Sequence, residues 1–150
     1  MKELTVIKKI EKYLINKGWS ENLQPSGLRK RGVDIKVQKI KPNKCGQYWL
    51  IEAKGDPGNK VKSPSGSRSS SFNSAVGQII TRMHTKRNPN DKYGGYKHGI
   101  AFPVSFKNKV LKNLPYYVCK SLKITVFFVN SFGEVKEYNY IKIREEQNKK

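Results

Sequence analysis

Acidic residues are scarce in this chain, and their scarcity is the first constraint on its partners. It carries 11 Asp and Glu against 31 Lys and Arg, a formal net charge of +20 over 150 residues. The excess runs along the whole chain, so we expect a polyanionic partner, and nucleic acid is favoured because neutralising its phosphates releases counterions. A generally adhesive basic surface is the alternative, and charge alone does not separate DNA from RNA or anionic lipid.

Cysteine and long apolar runs are also scarce. Cys45 and Cys119 lie far apart and form no CxxC pair, which argues against a disulfide framework or a zinc cage and indicates reduced thiols. No apolar run reaches the roughly 18 residues of a membrane span, and the N-terminus lacks the apolar core of a signal peptide. Hydrophobic residues make up 36% of the chain. We therefore expect one soluble, cytoplasmic domain with an ordinary core and no membrane partner.

The first half of the chain carries a helix followed by two strands. Apolar residues at three- and four-residue steps predict an amphipathic helix over residues 3 to 17. Strands are predicted over about residues 33 to 40 and 47 to 54, joined by a turn with an odd loop or a bulge. Facing residues of an antiparallel pair point to the same side, so Asp34 is expected to lie near Glu52.

The second half begins with a segment of different composition. Residues 55 to 71 are rich in Gly, Pro and Ser and carry basic side chains, which predicts a long flexible loop. Such a loop either orders on a phosphate backbone or is a plain disordered insertion. The later predicted elements are a helix over 74 to 84, a strand over 99 to 104, a helix over 107 to 121 broken or kinked at Pro115, strands over 123 to 130 and 135 to 143, and a frayed tail over 144 to 150. This order predicts an α/β fold with a mixed sheet between helices.

The chemistry-bearing residues stand at the two predicted strands. Asp34 begins the first strand, and Glu52 and Lys54 end the second one. Mg²⁺ binds proteins through one or two carboxylates and takes the rest of its shell from water and substrate phosphate. A neighbouring lysine can orient the attacking water and stabilise charge on the phosphate. The alternative interpretation is a surface ion pair between a carboxylate and one of the many lysines.

These residues resemble the motif of the PD-(D/E)XK nuclease superfamily, which includes many restriction enzymes, junction resolvases and repair nucleases. Asp34 matches the Asp of the motif, and Glu52-Ala53-Lys54 matches (D/E)-x-K, whereas Val33 stands where the motif has Pro. The order of predicted elements, from the first helix to the strand after the second helix, is similar to the restriction-endonuclease-like αβββαβ core. The resemblance implies that Asp34, Glu52 and the Ala53 carbonyl bind metal and that Lys54 is catalytic.

Three further residues extend the resemblance. Gln78 and Arg82 match the Q-x-x-x-R/K element found on the second core helix of these nucleases, which implies Gln78 near the metal and Arg82 near phosphate. Glu3 lies on the apolar face of the first helix, and many members place an acidic residue of that helix beside the metal. The alternatives are an ordinary polar helix position for Gln78 and a favourable first-turn acid for Glu3.

Basic residues flank both halves of the motif. We expect them to form a basic rim that binds the DNA backbone and positions it without reading bases. They are Arg29, Lys30 and Arg31 before the first strand and Lys60, Lys62 and Arg68 after the second.

The resemblance implies a Mg²⁺-dependent DNA endonuclease, in which Mn²⁺ substitutes for Mg²⁺. Restriction-like cleavage is the first hypothesis, and junction resolution or repair is the second. A homodimer or a partner subunit is implied because these reactions usually need two active sites. The alternative from another class is a non-catalytic DNA-binding module on the same fold.

Overall fold

A mixed six-stranded sheet forms the centre of the molecule, described by a computed structural model that covers residues 1–21, 32–41, 44–58, 61–83 and 96–149. Strands β1 to β3 form an antiparallel meander, β4 and β5 continue parallel to β3, and β6 returns antiparallel to β5. Their order in the sheet is their order in the chain. The strands are β1 (Ser20–Glu21), β2 (Ile35–Lys41), β3 (Lys44–Ala53), β4 (Tyr96–Pro103), β5 (Ile124–Val129) and β6 (Val135–Tyr138).

Helices cover both faces of this sheet. They are α1 (Glu3–Asn16), α2 (Pro64–Arg82), α3 (Lys107–Asn113), α4 (Tyr116–Leu122) and α5 (Tyr140–Asn148), with a short 3-10 turn over Val104–Phe106. The chain order from α1 through the three strands and α2 to β4 is the αβββαβ order that the resemblance implies, with the short β1 added to the two strands predicted from the sequence. The prediction of an α/β fold with a mixed sheet between helices is therefore confirmed.

Two apolar cores lie on opposite faces of the sheet. On one face α1 buries Val6, Ile10 and Leu14 against strand residues that include Ile51 and Phe127. On the other face α2 packs with α3, α4 and α5 over the inner strands, through residues that include Phe72, Ala75, Ile79, Ile100, Phe102, Phe106, Val126 and Ile143. We call this second face of the sheet the α2 face. Alternation along β3 assigns successive residues to the two faces in turn.

The β2–β3 hairpin follows the predicted pairing. Its register shifts between Lys39 and Lys41, which is the bulge that the strand pattern required. The two apolar strands β4 and β5 occupy interior positions of the sheet, as expected of strands buried on both faces. Pro115 separates α3 from α4 and so breaks the helix predicted over residues 107 to 121.

The predicted loop over residues 55 to 71 is wrong in its second half. Residues 64 to 71 form the first two turns of α2, which begins ten residues before the predicted helix start. Ser63 caps the helix by accepting a hydrogen bond from the Gly66 amide at 3.3 Å, and Pro64 takes the first helical position. These capping signals were present in the sequence, but the serine-rich first turns lack the apolar periodicity that would have revealed a helix.

The predicted strand over residues 135 to 143 and the frayed tail over 144 to 150 are also corrected. The strand ends at Tyr138, and Asn139 caps α5 by accepting a hydrogen bond from the Lys142 amide at 3.0 Å. The helix then continues to Asn148. Ile143 anchors it in the core of the α2 face, so tertiary packing stabilises a segment that reads as a charged tail.

Candidate metal and phosphate site

Asp34 and Glu52 meet where β2 begins and β3 ends. Ile35 pairs with Ile51 in the antiparallel register, so the next pair outward is Asp34 and Glu52. The Asp34 carboxylate accepts a hydrogen bond from the Ala53 amide at 2.7 Å, in place of a ladder bond from β2. The predicted placing of Asp34 beside Glu52 is what the hairpin geometry produces.

Glu52 is a buried carboxylate on the α2 face. It pairs in register with Ile100 of that core, and only 1% of the residue is exposed. Its Oε1 accepts a hydrogen bond from Arg82 Nε at 3.1 Å. Burial raises the pKa of Glu52 to about 7, and the nearby Asp34 charge acts in the same direction, while Arg82 partly offsets both. The site therefore holds two carboxylates close together, and the nearby positive charge of Arg82 does not fully stabilise their ionised forms.

Lys54 follows on the same side of the chain as Glu52. Its amide donates to the Ala101 carbonyl at 3.0 Å, which extends the β3–β4 pairing one residue past the strand, and its side chain is half-buried. Within the described part of the chain, no carboxylate forms an ion pair with its ammonium group. Lys54 thus follows Glu52 by two residues and forms an ion pair with neither Glu52 nor Asp34.

Gln78 on α2 is partly buried, and its side-chain oxygen is fully buried. It lies one helical turn before Arg82, on the same side of α2. Among the described residues, its Oε1 is the one buried side-chain oxygen or nitrogen atom without a hydrogen-bond partner. Buried acceptors are normally satisfied by protein or by ordered water. An unsatisfied oxygen in this position is what a site that receives a water or a ligand would contain.

The donor set fits a hard divalent cation such as Mg²⁺. Two carboxylates converge at Asp34 and Glu52, and the Ala53 carbonyl faces the β2 side of the strand, as its amide does in bonding Asp34. The described residues contain no cluster of three or more His, Cys, Asp or Glu side chains. Mg²⁺ needs only one or two carboxylates when water and substrate phosphate complete its shell, whereas a structural zinc ion needs more side chains.

The structure does not bring Glu3 into this group. Its side chain is exposed in the first turn of α1 and adds no third carboxylate to Asp34 and Glu52. The start of α1 nevertheless packs against the chain just after Lys54, because a Cβ atom on Gly55 would lie 2.4 Å from the Glu3 amide nitrogen. Only glycine allows so close an approach of the two backbones. The metal-binding role of Glu3 stays a prediction.

The predicted basic rim is only partly described. Lys62 is exposed before α2, and Arg68 lies in its second turn with Nε 3.4 Å from the Asp56 carboxylate. Arg29, Lys30, Arg31 and Lys60 lie outside the described residues. Arg82 contacts Glu52 and also donates from Nη2 to the Gly32 carbonyl at 2.8 Å, and its role near phosphate stays a prediction.

Asp56 is a second carboxylate at this end of β3, and sequence reasoning missed it. It accepts hydrogen bonds from Ser105 and Arg68, and the Met1 amino group lies 2.6 Å from its Oδ2. Burial alone would raise its pKa, but these donors more than offset that effect and lower it. Asp56 thus ties α1, α2 and the end of β4 together. No pattern in the sequence marks it, because its partners come from three distant segments.

Comparison with known proteins supports the fold. No protein-family model and no curated protein matches the chain. A XisH family protein from Nostoc punctiforme is similar in structure with a TM-score of 0.53 and 13% identity, over 90% of this chain and 98% of that one. An fdxN element excision controlling factor protein from Anabaena variabilis gives a TM-score of 0.54 and 17% identity, over 88% and 95%. At these identities the likeness shows a shared α/β fold.

The described helices are too short or too polar to cross a membrane.

Proposed function

We propose that this chain is a divalent-metal-dependent DNA endonuclease of the PD-(D/E)XK type. The observation that carries the proposal is the convergence of Asp34 and Glu52 at the end of β3, immediately before an unneutralised lysine. A buried carboxylate with a pKa raised to about 7 is costly for folding, and such groups concentrate at functional sites. A cation at this place would relieve the repulsion between the two carboxylates.

The residues have distinct roles in the proposed reaction. Asp34, Glu52 and the Ala53 carbonyl would hold the Mg²⁺ ion, with Mn²⁺ as a substitute. When bound, the ion lowers the pKa of its water and stabilises negative charge on the phosphate. Lys54 orients the attacking water and adds positive charge beside the phosphate oxygens. Gln78 Oε1 accepts a hydrogen bond from a water of the site and so fixes its orientation.

DNA is the proposed substrate because the protein carries a net charge of +20. Lys62 and Arg68 follow the site along the chain, the first exposed and the second partly exposed beside Asp56, and we assign both to contact with a phosphate backbone. One protein with this fold is named as an fdxN element excision controlling factor, and excision of an element is a reaction of DNA. Restriction-like cleavage is our first assignment, and junction resolution or repair is the second; either would use a homodimer or a partner subunit.

The test is cleavage of supercoiled plasmid in Mg²⁺, Mn²⁺ and EDTA. Asp34→Asn and Glu52→Gln each remove one proposed ligand charge with almost no change in shape, and Lys54→Met removes the ammonium group. Lys36→Gln is the matched control, since Lys36 is exposed on β2 and contacts neither carboxylate. We expect metal-dependent nicking that the first three substitutions abolish and the control retains. Intact plasmid, junction and modified DNA in every metal would contradict the proposal.

A non-catalytic DNA-binding module is the second candidate, and one contact favours it. Arg82 already neutralises Glu52 in part, as a structural ion pair would. Such a module would bind DNA in a salt-dependent manner and would bind equally well in Mg²⁺ and EDTA. Glu52→Gln would then change neither binding nor any cleavage.

A further inference from the structure

Arg82 holds the position that a cation needs in order to reach Glu52. Its guanidinium group spans two acceptors, Glu52 Oε1 at 3.1 Å from Nε and the Gly32 carbonyl at 2.8 Å from Nη2. The Glu52 side chain is 2% exposed, whereas that of Arg82 is 34% exposed. The arginine therefore covers the carboxylate from the solvent side, at the end of α2.

A buried carboxylate needs a cation or hydrogen bonds to stabilise its charge, and here Arg82 does so in part. The guanidinium group bonds Glu52 Oε1, and a divalent metal bound to either oxygen of this carboxylate would lie close enough for the two cations to repel each other strongly. A divalent metal would have an advantage over the guanidinium group, because it would be attracted by both carboxylates, Asp34 and Glu52, which lie close together. Binding of one cation to Glu52 therefore disfavours binding of the other.

We propose that Arg82 and the divalent metal compete for Glu52, so that the arginine closes the site in the metal-free protein and metal binding releases it. This inference rests on the proposed function, since it requires the metal centre at Asp34 and Glu52. The same guanidinium group bonds the Gly32 carbonyl, so its movement away from Glu52 would also weaken this contact between α2 and the chain just before β2. Arg82 is in this account a positioning residue, not a catalytic one.

Once released from Glu52, the guanidinium group can bind phosphate. Its planar group of donors matches phosphate oxygens, and its partial exposure allows it to reach them. A DNA backbone that binds the freed Arg82 would then favour the metal-bound state. By linkage, metal must favour DNA binding by the same factor. The site would in this way bind metal weakly alone and tightly together with its substrate.

Metal affinity measured without DNA tests the competition. Mn²⁺ binding to the full chain is followed by calorimetry for the wild type, Arg82→Gln, Arg82→Lys and the Lys36→Gln control. Arg82→Gln removes the competing charge and should tighten metal binding by about 5-fold or more, the lower end of usual coupling between sites. Arg82→Lys keeps the charge but cannot bridge both acceptors, so it should also bind metal more tightly than the wild type. The control should match the wild type.

A second readout uses the wild type itself, in case a variant folds poorly. The Arg82 Nε–H signal in a nitrogen-15 spectrum, assigned by its loss in Arg82→Lys, should move when Mg²⁺ is added because its bond to Glu52 breaks. A signal that stays in place at saturating metal would overturn the competition. So would Arg82 variants that bind metal no more tightly than the wild type, or tightening confined to Arg82→Gln, which would indicate long-range repulsion only.

Glu52→Ala separates this inference from the function on which it rests. If Glu52→Ala loses metal binding while the Arg82 variants bind metal as the wild type does, the proposed metal site stands and only the proposed competition is wrong. If Glu52→Ala still binds metal, both the proposed metal site and the proposed competition are wrong, because the ion is then not held by Glu52.

Discussion

Glu52 and Asp56 are two carboxylates four residues apart at the end of the same strand, and their surroundings are opposite. Asp56 accepts hydrogen bonds from three groups that lie on different segments, and its pKa is lowered. Glu52 is more deeply buried, faces Asp34, has Arg82 as its cationic partner, and has a pKa raised to about 7. One charge is stabilised by the fold and the other is opposed by it.

Asp56 therefore stabilises the fold through its charge, whereas the ionised form of Glu52 destabilises it. The donors around Asp56 favour its ionised form, so its charge contributes to folding. The burial of Glu52 disfavours its ionised form, and an apolar residue would serve packing at least as well. Gln78, with its unsatisfied oxygen, lies one helical turn before Arg82, the partner of Glu52, and ten residues after Arg68, the helix partner of Asp56. Unfavourable features thus concentrate on one side, where we place the chemistry.

The largest expected effect is on cleavage, and it should differ between the two carboxylates. Glu52→Gln and Asp56→Asn each replace a carboxylate by an amide of the same shape. We expect Glu52→Gln to lower the rate of plasmid cleavage by about 10²- to 10³-fold, as loss of one strong electrostatic contact in an active site does. Asp56→Asn should retain the rate per folded molecule. Equal losses in both variants would show that the comparison does not separate chemistry from structure.

The pH dependence of metal-free stability should also differ in sign. The folded-state pKa of Glu52, about 7, exceeds its usual 4.5, so the folded state holds this proton more tightly and its stability falls as pH rises between these values. At 1.36 kcal/mol per unit the loss is about 3 kcal/mol, and Glu52→Gln should not show it. Asp56 acts oppositely, since its lowered pKa gives stability that is lost as pH falls. Denaturant unfolding in EDTA measures both, from pH 4 to 8 for Glu52 and below pH 4 for Asp56, whose usual pKa is 3.8.

An unchanged pH profile in Glu52→Gln would contradict the burial argument for this residue. Arg82→Gln offers a further check within the same experiment. It removes the cation that partly offsets the burial of Glu52, so the pKa of Glu52 should rise further, and the fall in stability should extend to higher pH and be larger in total.

The sequence was sufficient to predict the parts of the molecule in which apolar and polar residues alternate regularly. Strand alternation and the requirement for a bulge placed Asp34 beside Glu52, and the pairing of Ile35 with Ile51 produces that geometry. The Asp56 cluster and the contact of Arg82 with Glu52 could not be predicted, because each joins segments far apart in the chain. The first turns of α2 were missed for a different reason, since their serines carry no apolar stripe and only the cap at Ser63 marks the start.

A smaller effect is expected on stability when the Asp56 cluster is broken. Asp56→Ala removes the acceptor of Ser105 and Arg68 and leaves the guanidinium group of Arg68 without its carboxylate. The free energy of unfolding should fall by about 1–3 kcal/mol, the usual cost of losing hydrogen bonds to a charged group. Urea denaturation at pH 7 measures it. Ser105→Ala should lose less, because it removes one donor and keeps the charge pairs.

The smallest stability change is expected at Gln78, because here a loss of activity can be separated most clearly from a loss of stability. Gln78→Leu replaces a buried, unsatisfied oxygen by carbon of similar volume, so stability should stay within about 1 kcal/mol of the wild type or rise. Cleavage should nevertheless fall by about 10-fold, the lower range for a residue that orients the groups around a metal. Both are measured on one preparation, by urea unfolding and by plasmid nicking. A variant that becomes more stable and stays fully active would make Gln78 a packing residue, and the unsatisfied oxygen would no longer mark the site.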